Sequence, residues 1–189
     1  EIHGLEPAAN EWLDWRDENL PGMPVWLTEF GWDTGVSPAG EFSYVYAPPE
    51  QQANYLLRSL FLMMGYGIEK SFIFLCYDLD SQAALQYSSS GILYDSHRNF
   101  APKPIYYYLY LLKHEFGDYH LKRIDQYRSG NPELFSYELE HPQFPRRNVF
   151  VMWCREKESE RDNGAEIRNY RLDVPNLTDA IVVEPRDGE

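Results

Sequence analysis

"PVWLTEFGWD", residues 24–33, starts as a strand and breaks its own pattern at a glutamate. Val25, Trp26 and Leu27 suit a strand packed on both faces, the kind found in parallel sheets. Thr28 is tolerated in such a strand. An ionised Glu29 is not, unless neighbouring groups offset the cost of taking its charge out of water. Gly31 and Trp32 follow at once and open a Gly/Pro/Ser-bearing loop that runs to Pro49. Loops that long in a compact domain point to function. In parallel α/β sheets and barrels, functional groups gather at the carboxyl ends of strands. Glu29 stands at such an end. Position alone leaves two readings: a functional carboxylate, or one bonded to a neighbouring Arg or to solvent.

The flanks set the architecture around it. Pro7–Asn19 reads as a helix, broken by "LPGMP" at residues 20–24. "PPEQQANYLLRSLFLMMGYG", residues 48–67, is the clearest helix: Ala53, Leu56, Leu57, Leu60, Phe61 and Met64 fall on one face, prolines open it and glycines close it. "SFIFLCYD", residues 71–78, reads as a second apolar strand, and "KPIYYYLYLLKHEF", residues 103–116, as the next helix. Strand–helix–strand–helix order with unalternating strands predicts an α/β fold, its parallel strands covered on both sides by helices. After Gly117 the texture changes. "ELFSYELE", "NVFVMWC", "IRNYRLDV" and "DAIVVEP" are short segments between polar turns, which predicts antiparallel β-structure. The boundary is expected near residue 117, giving units 1–117 and 118–189.

The totals exclude some partners. Against 30 acidic residues stand 17 basic ones, a net charge of −13, which argues against nucleic acid and against an anionic membrane surface. No apolar stretch approaches the roughly 20 residues that span a bilayer. An aromatic content of 16% fits sugar binding and fits an ordinary large core equally well. Cys76 and Cys154 lie in apolar runs of different segments and read as buried free thiols, not as a disulfide. The histidines show no metal-ligand spacing, so no metal is expected. A first residue that is not Met, without a signal region, makes the chain read as an internal piece of something longer.

The stretch "WLTEFGW" (residues 26–32) resembles the seventh strand of the clan A glycoside hydrolases, the (β/α)8-barrel retaining glycosidases. The order of "WRDENLPGMPVWLTEFGWD", "EQQANYLLRSLF", "SFIFLCYDLD" and "SSGIL…APKPIYYYLYLL" is similar to family 39-like and family 5-like members. The trailing strands resemble the small β-sandwich that many of these carry.

The resemblance implies that residues 1–117 are the last strands and helices of a TIM barrel and residues 118–189 a β-sandwich accessory domain. It implies that Glu29 is the catalytic nucleophile in hydrolysis of β-linked oligo- or polysaccharides, with no cofactor. Trp32 then either stacks on a sugar ring or anchors the loop from the core. Tyr77 replaces the platform, and Asp78 or Asp80 bonds a hydroxyl, which makes these four the candidate substrate-binding residues beyond the two strand ends. A Trp is frequent at the end of the eighth strand in the clan, whereas this chain has Cys76-Tyr77-Asp78, so that subsite departs from the pattern.

Such an enzyme needs a second carboxyl group about 5–5.5 Å from the nucleophile. In the family this acid/base follows an asparagine. Asn10-Glu11 is the one Asn-Glu pair here, and it falls in a predicted helix. The acid/base and the rest of the barrel are therefore expected in a missing N-terminal segment, the chain's first partner. An extracellular or periplasmic site follows from the resemblance only. The competing reading is a non-catalytic carbohydrate-binding or structural protein on the same scaffold.

Overall fold

Helix α1 (Leu5–Asn19) ends where Asn19 turns its amide back onto the Trp15 carbonyl, at 2.7 Å, and the chain enters the Pro/Gly break. The structure, a computed structural model, describes residues 5–35, 46–83, 85–129, 134–154, 172, 174 and 178–182. It divides after Gly117 into two compact units.

In the first unit, strand β1 (Trp26–Phe30) is followed by helix α2 (Pro49–Tyr66) and by strand β2 (Lys70–Ile73), which pairs with β1 in parallel. Pro49 sits at the first turn of α2, where its missing N–H costs nothing. Gly67 closes the helix at φ 82, a left-handed conformation that glycine takes without penalty, and donates to the Met63 and Met64 carbonyls. Helix α3 (Pro104–Phe116) returns against α2. Leu27 and Phe30 of β1, Ala53, Leu56 and Met63 of α2 and Ile105 of α3 are all buried.

Several expectations need correction. The strands are covered on one face only: Trp26 and Phe72 are 50% and 49% exposed, 6.4 Å apart, with the Lys70 ammonium 4.2 Å above the Trp26 ring. The buried face of α2 is rotated from the apolar reading. Gln52, Ala53, Leu56, Ser59 and Met63 point inward, while Leu57, Leu60 and Met64 are half-buried. Ser59 is buried with its hydroxyl on the Tyr55 carbonyl and Gln52 with its side-chain N–H on the Trp32 carbonyl, while Gln52 Oε1 has no partner among the described residues. Strand β2 stops at Ile73 and does not run on to Asp78. From Leu75 the chain leaves β1 and bonds residues 90–93 instead: the Leu75 amide donates to Ser90, and the Ile92 and Leu93 amides to Leu75 and Cys76. Cys76 is consequently exposed and Cys154 half-buried, although both are free thiols as expected.

The second unit holds an antiparallel sheet ordered β3 (His120–Ser129), β4 (Leu134–His141), β5 (Phe144–Cys154). The central strand β4 is buried over its first six residues, Leu134–Leu139. The Trp153 ring lies parallel to Phe135 and Tyr137 at 5.0 and 5.2 Å. Strand β3 was not expected, because "HLKRIDQYRS" lacks an apolar alternation. Its Lys122 and Arg123 meet Glu138 on β4 at 2.8 and 2.6 Å, so charge performs the cross-strand pairing there. The expected strand "IRNYRLDV" and the charged tip Arg155–Gly164 lie outside the described residues, apart from Leu172 and Val174. Asp179–Val182 of "DAIVVEP" form no strand.

Candidate functional site at the ends of the parallel strands

The register of β1 on β2 slips by one residue: Leu27 faces Ser71 and Phe30 faces Ile73, so Thr28 and Glu29 together oppose Phe72. An inserted residue of this kind re-aims side chains and is frequent beside active sites. Here it exposes Thr28 and Glu29 in succession, between buried Leu27 and Phe30. The Glu29 carboxylate bonds to no described residue.

Immediately beyond, the backbones of the two strand ends close in. The Phe74 amide donates to the Phe30 carbonyl at 2.9 Å, and a Cβ at position 31 would run into the Phe74 carbonyl oxygen. Only glycine fits at Gly31, which is the local reason the strand pattern breaks there.

Two buried carboxylates then organise the loops. Asp33 Oδ1 accepts from the Ser90 hydroxyl at 2.7 Å and from the Ser89 amide and hydroxyl at 3.1 and 3.3 Å. Asp33 Oδ2 accepts from the Tyr87 amide at 2.6 Å. Asp78 accepts from the Gly91 amide at 2.8 Å and from Lys103 Nζ at 2.7 Å, and both members of that ion pair are wholly buried. Lys103 also donates to the Thr34 hydroxyl at 2.7 Å and the Ser89 carbonyl at 2.9 Å. Its three protons are thereby used, and the loop after β1 is tied to the segment after β2. Burial pushes the Asp78 carboxyl up, against the opposing pull of Lys103 and the Gly91 amide. It pushes the Lys103 ammonium down, against the pull of Asp78. Burial, and then the charge of Asp33, raises the Tyr46 phenol.

The residues expected to bind substrate are thus divided. Trp32 is 7% exposed, packed between Phe30 and Tyr55 at 6.4 and 5.6 Å, with its carbonyl held by Gln52 at 2.8 Å. Asp78 is occupied by Lys103. Glu29, Tyr77 and Asp80 are exposed. Tyr77 stands edge-on to Phe100 at 5.6 Å, and Asp80 accepts the amides of Gln82 and Ala83, closing a turn. Asp33, Gln52, Ser89, Ser90 and Lys103 also belong to this region, beyond what the sequence reading assigns to it. The run Ser88-Ser89-Ser90-Gly91 was the available signal.

Among the described residues, Asp80, Asp95 and His97 bring one ligand atom each to within 4.8 Å of one another. Both Asp95 oxygens already accept backbone amides, of Ser81 at 2.7 Å and His97 at 3.0 Å. The Ser81 amide is the chief reason the Asp95 carboxyl lies below its ordinary value. Loop closure therefore accounts for the grouping.

No family model matches the chain, and no curated protein matches it by sequence. Among solved structures it is similar to a family 39 glycoside hydrolase from the gut symbiont Bacteroides cellulosilyticus WH2. The TM-score is 0.55 at 17% identity, over 79% of this chain and 28% of that one. The chain has a glycoside hydrolase-like fold. It is also similar to a calcium-binding mutant of β-glucuronidase 2 from Bacteroides uniformis, with TM-score 0.41 and 18% identity over 71% of this chain and 17% of that one. The glycoside hydrolase-like chain thus spans 28% of the family 39 structure's length. Within this fold, Glu29 lies late in β1, and the loops that follow β1 and β2 are locked together by Asp33 and Lys103.

Proposed function

We propose that Glu29 is the nucleophile of a retaining glycoside hydrolase acting on β-linked oligo- or polysaccharides. The observation that carries this reading is the register slip, which turns Glu29 outward near the carboxyl end of a parallel strand in a glycoside hydrolase-like fold. Its carboxylate attacks the anomeric carbon, and the bond to the leaving oxygen breaks as that oxygen takes a proton from the acid/base. Water then attacks the glycosyl–Glu29 ester and gives its proton to the acid/base, releasing Glu29. Two carboxyl groups and water balance the reaction.

In this reading the acid/base belongs to a segment preceding residue 1. Glu11 fails as a candidate because it sits in the middle of α1. Residues 1–117 form the end of a TIM barrel, and residues 118–189 an accessory β-sandwich domain. The open face of β1 and β2, with Trp26 and Phe72, lines the barrel interior that the preceding strands complete. Tyr77 and Asp80 contact sugar, whereas Trp32 and Asp78 hold the loops that carry the site.

The test is Glu29→Gln in the full-length protein, which keeps shape and removes the attacking oxygen. Turnover of β-linked substrates is expected to fall by several orders of magnitude with folding retained. Near-normal turnover in this variant contradicts the assignment.

A further inference from the structure

Tyr87 is held in a conformation that its side chain resists. Its φ is 69°, in the left-handed region where a bulky residue is a genuine outlier and where glycine or asparagine fits more easily. The backbone there is fixed from below: Asp33 Oδ2 accepts the Tyr87 amide at 2.6 Å, and Asp33 Oδ1 is engaged by Ser89 and Ser90. Asp33 itself is buried. A buried carboxylate following Glu29 in the chain thus holds the backbone of one exposed tyrosine in place.

The ring gains little from packing in return. It is 55% exposed and meets Phe74 at 6.3 Å with the planes 85° apart. Whichever of the two rings presents its edge, at least one face of Tyr87 stays uncovered by Phe74. Phe74 in turn bonds through its amide to Phe30, the neighbour of Glu29. A loop that needed only the turn would accept glycine at this position. An exposed ring with an open face on a fixed backbone, one aromatic contact away from the strand end, suits a flat ligand with an apolar face.

We infer that Tyr87 is a stacking platform for a pyranose ring of the glycan bound beside Glu29. This rests on the proposed glycosidase reading and adds to it a specific sugar contact. The C–H face of the sugar lies on the open face of the phenol ring, and the backbone conformation is the device that presents that face.

The test uses the full-length protein in a Glu29→Gln background, so that ligand survives the titration. Binding of cellohexaose, xylohexaose and mannohexaose is measured by calorimetry, with maltohexaose as the α-linked control. Tyr87→Gly is expected to raise Kd about fivefold or more for the hexasaccharide that binds, the order of one aromatic contact. Its thermal stability is expected to be unchanged or higher, because glycine accepts the left-handed backbone. Tyr87→Asn, which also tolerates that backbone, serves as the second ring-less variant. Tyr87→Phe and Tyr87→Trp are expected to keep Kd within about twofold, since each retains an aromatic face. An unchanged Kd in both ring-less variants, with a hexasaccharide still bound, overturns this inference and leaves the glycosidase reading standing. A loss in Tyr87→Phe equal to that in Tyr87→Gly also overturns it, since it would assign binding to the hydroxyl. Failure of the Glu29→Gln parent to bind any of the three β-linked hexasaccharides overturns the inference and leaves the glycosidase reading to its own turnover test.

Discussion

Asp78 in the first unit and Glu138 in the second are both buried carboxylates bonded to lysine, and their surroundings move them in opposite directions. Burial pushes Asp78 up, and its bonds to Lys103 and Gly91 do not cancel that push. Burial also acts upward on Glu138, yet the hydrogen bond and charge of Lys122, with the charge of Arg123, outweigh it and bring the carboxyl below its ordinary value. The cations differ in where they stand. Lys103 is wholly buried and has given up its own hydration, whereas Lys122 and Arg123 reach Glu138 from side chains 38% and 55% exposed. Cations that remain half in water keep a carboxylate charged at lower cost than one that must be desolvated with it. The first unit accepts that cost where its two loops are joined, and the second unit holds two strands together without it.

Removing one partner should separate the regions most strongly. Lys103→Met leaves Asp78 buried and unpaired, and denaturant unfolding is expected to show a loss of about 3–5 kcal/mol. Lys103→Met combined with Asp78→Leu should recover part of it, because no lone charge remains although the Gly91 amide loses its acceptor. Lys122→Met is expected to cost about 1 kcal/mol or less, since its ammonium is solvent-screened and Arg123 still pairs with Glu138. Equal losses for the two lysines would break the comparison.

Acid gives a smaller effect and a difference of sign. A folded value below the unfolded one means that the Glu138 contribution is fully present above the ordinary glutamate range. It is lost as pH falls through the depressed folded value. For Asp78, whose folded value is raised, the native state holds the proton more tightly, so its contribution becomes less favourable as pH rises through the window above the ordinary aspartate value. Glu138→Gln should therefore flatten the acid limb of unfolding free energy against pH, and Asp78→Asn should not. A flattened acid limb in Asp78→Asn would reverse the assigned directions.

The same two regions show what was legible in the residues. Helices α2 and α3, strand β1 and its parallel order with β2 follow from apolar runs punctuated by proline and glycine, and β4 and β5 from their apolar residues. Strand β3 escaped because its pairing to β4 uses Lys122 and Arg123, which an apolar pattern does not register. The inward turn of Gln52 escaped for a related reason: its partner, the Trp32 carbonyl, is supplied by tertiary structure. Asp33 meets Ser89 across 56 residues of chain, a separation at which no local signal links them. The resemblance implies a sugar ligand at Asp78, and nothing in "CYDLD" announces that a lysine at the start of α3 will occupy it. The strand-end position of Glu29 was legible because it depends on local order alone. Its exposure depends on a register slip visible only once β2 is paired.

Whether Glu29 forms a covalent bond with substrate can be measured directly. The full-length protein is incubated with a 2-deoxy-2-fluoro β-glycoside bearing an activated leaving group, then digested and examined by mass spectrometry. The fluorine slows hydrolysis of the glycosyl–enzyme, so a double-displacement enzyme accumulates it. The expected result is one fluoroglycosyl group esterified to Glu29, absent from the Glu29→Gln variant. Label on a different carboxylate, or continued release of the leaving group with no adduct at all, would contradict the account.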